Sequence, residues 1–235
     1  VIFLCILANK FSDKFGMPTL ILFMFIGMLF GSDGIVKIPF DNYELAERVC
    51  SIALIFIMFY GGFNTKWKLA KPVAVRAVLL STVGVAITAG VTAILCHFVL
   101  RFSMAESFLI GAVLSSTDAA SVFSILRQKK LNLKDGTASL LEMESGSNDP
   151  MSYMLTVIGI GLVGAGETGN IAWNIFSQLT FGSIVGIVFA VLTILILTKT
   201  NVVTDGLDTI FMIAAVLFCY AASELVGGNQ YLSVY

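Results

Sequence analysis

Apolar residues run through this chain in long blocks, from Val1 to Tyr235, that polar residues interrupt at short intervals. Phe15 to Ser32 is an uncharged run of 18 residues and Ile171 to Thr198 one of 28. A helix crosses the hydrocarbon core of a bilayer in about 20 residues. With polar residues allowed inside spans, the pattern predicts helices over 1–14, 17–31, 47–63, 73–100, 104–126, 137–164, 171–198 and 206–226. The first apolar run is short before Asn9 and Lys10, and a new one opens at Tyr231-Leu232-Ser233-Val234-Tyr235. The chain therefore reads as a fragment of about eight spans whose first is truncated.

The fifth and sixth of these spans are the least apolar, because they carry Glu106, Asp118, Glu142, Glu144 and Asp149. Composition sharpens the oddity. Residues of the AVILMFWYC set make up 57% of the chain and charged residues only 12%, against about 25% charged in a soluble domain. A water-soluble globule is excluded, and so is a single anchor on a soluble domain, since the apolar blocks are spread over the whole length. The formal net charge of −1 and the lack of a basic tract with interleaved aromatics exclude nucleic acid as a partner. Cys5, Cys50, Cys96 and Cys219 have no CxxC spacing and read as small buried apolar residues.

The basic residues orient the chain. When alternate loops are placed on alternate sides, eleven of the 14 Lys and Arg fall on one side, including Lys66, Lys68, Lys71, Arg76 and the Arg127 to Lys134 group. Only Lys37, Arg48 and Arg101 fall on the other. By the positive-inside rule the basic loops are cytoplasmic and the chain starts outside. No Lys or Arg is left inside the central part of a span to pair with the acids there. Gly27–Gly31 and Gly182–Gly186 have the GxxxG spacing that permits close helix packing. His97 reads as an amphipathic end-cap, and Trp67 and Trp173 as interface anchors.

Leu114-Ser115-Ser116-Thr117-Asp118-Ala119-Ala120-Ser121 concentrates hydroxyls and a carboxylate at mid-membrane depth. A carboxylate there costs about 2.5–3.5 kcal/mol on insertion scales, which is rarely tolerated without a function. Ser and Thr also satisfy carbonyls released at a helix break, so a local unwinding around Thr117-Asp118 is expected. In Glu144-Ser145-Gly146-Ser147-Asn148-Asp149-Pro150, helical spacing sets Ser145 beside Asp149 and Glu144 beside Asn148. Pro150 lacks an N–H and weakens the ladder at Gly146. Singly, Ser145, Ser147 and Asn148 are as well explained by hydrogen bonds between helices; Asp118 and Asp149 together are not. Oxygen ligands without a Cys or His cluster suit a hard cation. Such a carboxylate can hold either a proton or a metal ion, the simplest chemistry for exchanging one against the other.

At these residues, and at Phe40-Asp41-Asn42-Tyr43-Glu44-Leu45-Ala46, the sequence resembles the monovalent cation/proton antiporters, specifically the NhaP-type branch (cation:proton antiporter-1 family) with its bacterial potassium/proton antiporters. The resemblance covers the whole chain but only the amino-terminal part of the family's membrane domain. It implies an all-α polytopic membrane protein with an inverted-repeat antiporter fold and discontinuous helices near the ion site. It implies residues 1–72 as the first three spans on the dimerisation side, 73–166 as the core ion-binding helices, and 167–235 as linking spans and the start of the second repeat. On the same resemblance Asp149 is the ion- and proton-binding carboxylate. Asn148 marks the electroneutral branch, Asp118 and the main chain at Thr117 complete the site, Ser145 lends its hydroxyl, and Glu144 supports through water or an ion pair.

The implied function is exchange of K⁺ or Na⁺ for H⁺ by alternating access in the inner membrane, with no cofactor and no enzymatic activity. The implied partners are membrane lipid, a second copy in a homodimer, and a cytoplasmic regulatory domain of the full-length chain. One departure is Tyr60-Gly61-Gly62, where many relatives carry an acid before the glycine pair. Gly16-Met17-Pro18-Thr19-Leu20 and Gly228-Asn229-Gln230-Tyr231-Leu232 begin spans on opposite sides, as equivalent positions of inverted repeats would. Two other classes remain open: an ion-coupled symporter of the same architecture, and an intramembrane aspartyl protease. The protease pairs Tyr-Asp with Gly-x-Gly-Asp motifs, whereas the acids here follow Thr117 and Asn148.

Overall fold

The computed structural model describes residues 2–15, 19–118, 122, 133–164, 170–199 and 206–235, with the side chains of 9–15 and 19 left aside. Among the described residues the chain is helical, without a strand. Helices α1 (Ile2–Phe15) and α2 (Thr19–Phe30) pack on each other. Helix α3 (Tyr43–Asn64) starts ahead of its apolar run because Asn42 caps it, accepting from the Leu45 amide at 2.9 Å. Arg48 then pairs with Glu44 at 2.5 Å across its first turn. A single turn at Trp67–Ala70 leads into α4 (Ala74–Leu100).

Helix α4 is not regular. Residues Leu80–Gly84 form a π-helical turn. Just there the Ser81 and Thr82 hydroxyls both bond the Val78 carbonyl, at 3.2 and 2.6 Å. Such back-bonding competes with the backbone ladder and loosens it. At its far end Arg101 takes a left-handed conformation (φ 61°), and His97 Nδ1 lies 2.8 Å from the Phe102 carbonyl, closing the turn as an end-cap. Helix α5 (Met104–Leu114) begins on a capping box: the Ser103 hydroxyl accepts from the Glu106 amide, and the Glu106 carboxylate accepts from the Ser103 amide at 3.0 Å.

Four further helices follow: α6 (Thr137–Val163), α7 (Ile171–Lys199), α8 (Asp208–Leu225) and the short α9 (Gln230–Val234). Seven of the eight predicted spans have a helix within a few residues of the expected bounds. The fifth differs: α5 ends at Leu114, and residues 115–118 leave the helix. The rest of that predicted span, with Arg127, Lys129 and Lys130, lies outside the described residues apart from Val122, as do Gly16, Met17 and Pro18.

Two cores hold the bundle. Val85, Ala89, Ala112 and Leu155 join α4, α5 and α6, with Phe108 and Met151 around them. Gly111 of α5 sits against the Ala89 backbone, and a side chain on Gly159 of α6 would stand 3.0 Å from the Leu109 Cα, so small residues set how close these helices come. Ile55, Met58, Val216, Tyr231 and Val234 form the second core, between α3, α8 and α9. The two GxxxG pairs part company here. Gly182 and Gly186 of α7 receive the backbone of Asn229 and Ser233. Gly27 has no neighbour among the described residues within 4 Å of where a Cβ would be. Cys96 and Cys219 are buried as expected, but Cys5 is only partly buried, and Cys50 is exposed because it sits in the first two turns of α3, which stand clear of the bundle.

Candidate functional site

The site forms where α5 stops. The Ser115 hydroxyl and amide both bond the Ala112 carbonyl, at 2.7 and 3.3 Å, which tightens the last turn and ends the helix. Residues 116–118 then leave the helix and run alongside α6. Helix α6 stays continuous through Pro150, so the predicted weakening does not become a break.

Across this junction the polar side chains bond to one another. The Ser116 hydroxyl donates to Asp149 Oδ1 and lies 3.5 Å from Asn148 Oδ1. Thr117 Oγ1 stands 2.9 Å from Ser145 Oγ and accepts from the Asn148 amide. That amide also donates to Glu144 Oε1 at 3.2 Å, closing the predicted Glu144–Asn148 pair along the helix. Ser145 and Asn148 are wholly buried, whereas Asp149 and Glu144 are partly exposed. Of the residues singled out in the sequence, Thr117, Glu144, Ser145, Asn148 and Asp149 thus share one network. Asp118 belongs to the same unwound stretch, exposed, with its carbonyl accepting from the Val122 amide at 3.1 Å.

Three features escaped the sequence reading. Ser116 is the residue that donates to Asp149, although helical spacing drew attention to its neighbours; once the segment leaves the helix, helical faces no longer predict where a side chain points. The π turn of α4 lies against α6 and, with Leu80, Gly84 and Thr88, walls a cavity of about 340 Å³ that reaches Ser116, Thr117 and Glu144. Finally, Asn229 donates from Nδ2 to the carbonyl of Pro150, at 3.2 Å, from 79 residues away. Tyr60, at the position where an acid was expected, is more than half exposed on α3.

Around Asp149 the donor set consists of hydroxyls, a side-chain amide and carboxylates, all hard oxygen ligands apart from the amide nitrogen. Sulfur and imidazole have no part in it. The Asp149 carboxylate, hydrogen-bonded from the unwound segment, can release a proton to take a cation and take the proton back when the cation leaves.

Such a bundle, with four helices long and apolar enough to cross a membrane among its described residues and a carboxylate site at a broken one, defines a multi-pass membrane protein of the ion-transport kind. A family profile described as "Sodium/hydrogen exchanger, transmembrane" matches residues 1–235. The chain belongs to the sodium/hydrogen exchanger family. It is 35% identical over 234 residues to the K(+)/H(+) antiporter NhaP of Alkalimonas amylolytica, covering 98% of this chain and 40% of that protein. Identity to the Na(+)/H(+) antiporter 1 of Methanocaldococcus jannaschii is 28% over 187 residues, 78% of this chain and 43% of that protein. The structure of the sodium proton antiporter MjNhaP1 from the same organism superposes with a TM-score of 0.82 at 24% identity, over 99% of this chain and 57% of that one. The fold is therefore that of an NhaP-type antiporter. The chain spans about 40% of the length of the curated relatives it matches most extensively.

Proposed function

We propose that this chain forms the ion-binding part of a secondary antiporter that exchanges K⁺ or Na⁺ for H⁺ by alternating access, with Asp149 as the shared carrier of both. The observation that carries the reading is the junction itself: a carboxylate within a membrane helix, hydrogen-bonded by a serine of an unwound segment, with Thr117, Ser145, Asn148 and Glu144 in one network around it. Proton and cation compete for the same carboxylate oxygens, so each exit is coupled to an entry. Carbonyls of 115–117 and the Thr117 and Ser145 hydroxyls supply further cation ligands, and Asp118 adds charge from the unwound stretch. Glu144 fixes Asn148 through its carboxylate.

Asn148, a neutral residue beside Asp149, makes exchange electroneutral. The relatives named above as K(+)/H(+) antiporters support potassium as the cation, and the archaeal relative named as a Na(+)/H(+) antiporter keeps sodium in play. Residues 73–166 are the ion-binding core, 1–72 the dimerisation side, and 167–235 the link to a second repeat. The protein lies in the inner membrane with its basic loops cytoplasmic, works as a homodimer and needs no cofactor.

Proton flux, followed with a pH-sensitive dye in vesicles carrying the protein while K⁺, Na⁺ and Li⁺ are added in turn, tests the whole reading. Cation-dependent proton movement is expected, and Asp149→Asn should abolish it. Retained exchange in that variant refutes Asp149 as the carrier.

A further inference from the structure

The last helix touches the site helix twice, on either side of the residues that carry the chemistry. Ahead of α9, Asn229 donates from Nδ2 to the Pro150 carbonyl at 3.2 Å, immediately after Asp149. Behind it, the Tyr235 ring packs on Gly146, where a Cβ would stand 2.7 Å from a ring carbon, and the Tyr235 hydroxyl lies 3.5 Å from the Met143 carbonyl. Glu144, Ser145, Asn148 and Asp149 fall between these two grips. Tyr231, on the same short helix, stacks edge-on to Tyr153 of α6 with centroids 4.9 Å apart, a third contact one turn beyond Asp149.

Asn229 is built to hold rather than to swing. It is wholly buried; its Oδ1 accepts from the Leu232 amide at 2.9 Å as the cap of α9, and its own amide donates to the Gln178 carbonyl of α7 at 2.9 Å. Gly182 and Gly228 leave the room that this close backbone packing needs, since a side chain on Gly182 would meet the Asn229 carbonyl at 2.8 Å. A helix cap requires only an acceptor, which Ser or Asp supplies as well. What asparagine adds is a donor, and that donor goes to α6. It lands on the carbonyl of Pro150 itself, one turn beyond the Gly146 carbonyl that Pro150 has no N–H to serve, so α6 is held from outside next to the turn where its own ladder is one bond short.

We propose that Asn229, seconded by Tyr235, is a positioning residue: α9 clamps α6 on a different face from the unwound 115–118 segment and sets where the Asp149 carboxylate stands. The clamp rests on the reading of Asp149 as the ion- and proton-binding carboxylate. An ion site tolerates displacements of only about 0.5 Å before its ligands lose their geometry, so loosening the clamp lowers cation affinity before it unfolds the bundle.

The test is labelling of Asp149 by dicyclohexylcarbodiimide in the membrane-embedded protein, followed by peptide mass spectrometry, with Asp149→Asn as the blank. Two quantities are read: the pH midpoint of labelling, and the K⁺ or Na⁺ concentration that gives half protection. Asn229→Ser keeps the cap and removes the donor to Pro150. It should raise the half-protecting concentration about 3–10-fold, the worth of one hydrogen bond, and displace the pH midpoint. Tyr235→Phe, which keeps the ring on Gly146, should change either quantity by less than about twofold. Asn229→Thr, which also caps α9 but is too short to reach the Pro150 carbonyl, serves if the serine variant does not reach the membrane. Wild-type midpoint and protection in a folded Asn229 variant overturn the clamp. The pH midpoint needs no transport, so a protein in which no cation protects Asp149 and no exchange occurs refutes the antiport reading while the midpoint still decides the clamp.

Discussion

Helices α6 and α7 are nearly the same length, 27 and 29 residues, yet they occupy opposite environments. Buried positions on α6 include Ser145, Gly146, Asn148, Pro150 and Ser152; on α7 only Gly182 is buried. Ile187 and Ile194 of α7 are 65% and 59% exposed, apolar side chains that only lipid or a further helix can cover. Hydropathy alone ranks α7 as the best span of the chain and leaves α6 out of the four helices that pass on length and apolar content. Apolar content thus reports contact with lipid, whereas a helix enclosed by other helices is free to be polar where its neighbours supply partners. The helix that looks least suited to a membrane is the one that carries the polar network.

The contrast can be broken or sharpened by moving charge between the two helices. Removing it from α6 has the largest effect: Asp149→Asn should reduce cation-dependent proton flux by more than about 100-fold, a loss worth more than two decades of rate, while leaving insertion intact. Adding it to α7 should do the converse. Ile187→Asp places a carboxylate against lipid without a partner, costs about 2.5–3.5 kcal/mol of insertion free energy, and should be read as a lower yield of membrane-integrated protein. If Ile187→Asp inserts as well as wild type, that face of α7 is not turned to lipid.

Smaller effects test the partners that make α6 tolerable. Ser116→Ala deletes the hydroxyl that donates to Asp149. A hydrogen bond to a charged group is worth about 1.5–3 kcal/mol, so at least about a tenfold higher cation concentration should be needed for half-maximal exchange. Gly182→Val would drive a side chain onto the Asn229 backbone, which has no rotamer with which to yield. Overpacking of that kind costs about 1–3 kcal/mol and should lower the melting temperature in detergent. Gly27→Val, on the GxxxG pair that packs on nothing among the described residues, should leave that temperature unchanged within about 0.5 kcal/mol. Equal effects at Gly27 and Gly182 would show that the first pair also meets a neighbour.

Much of this arrangement is legible along the chain. Runs of apolar residues give the spans, because hydrogen-bond satisfaction in a bilayer leaves helices as the economical solution. Clustered hydroxyls at Ser115–Thr117 announce that α5 gives way there, since only residues with spare donors and acceptors can serve a backbone that has left its helix. The spacing of Glu144 and Asn148 foretells their contact for an equally local reason: residues four apart on a helix are neighbours whatever surrounds them. Other features carry no local signal. Nothing in Ser81 or Thr82 by itself distinguishes a π turn from ordinary back-bonding, and of two identical GxxxG spacings only one meets a partner among the described residues.

Local chemistry, then, determined what this protein is made of: membrane helices, one of them interrupted, and a polar stretch expensive enough to require a purpose. Those properties depend on residues within a turn or two of each other, where covalent geometry fixes the distances. Tertiary structure alone decided which hydroxyl reaches Asp149, which face of α3 or α7 is left exposed, and that Asn229 closes on Pro150. Each of these depends on how separate helices pack, and that is set by the sum of many small side-chain contacts across the bundle, not by any pattern that can be read within one segment.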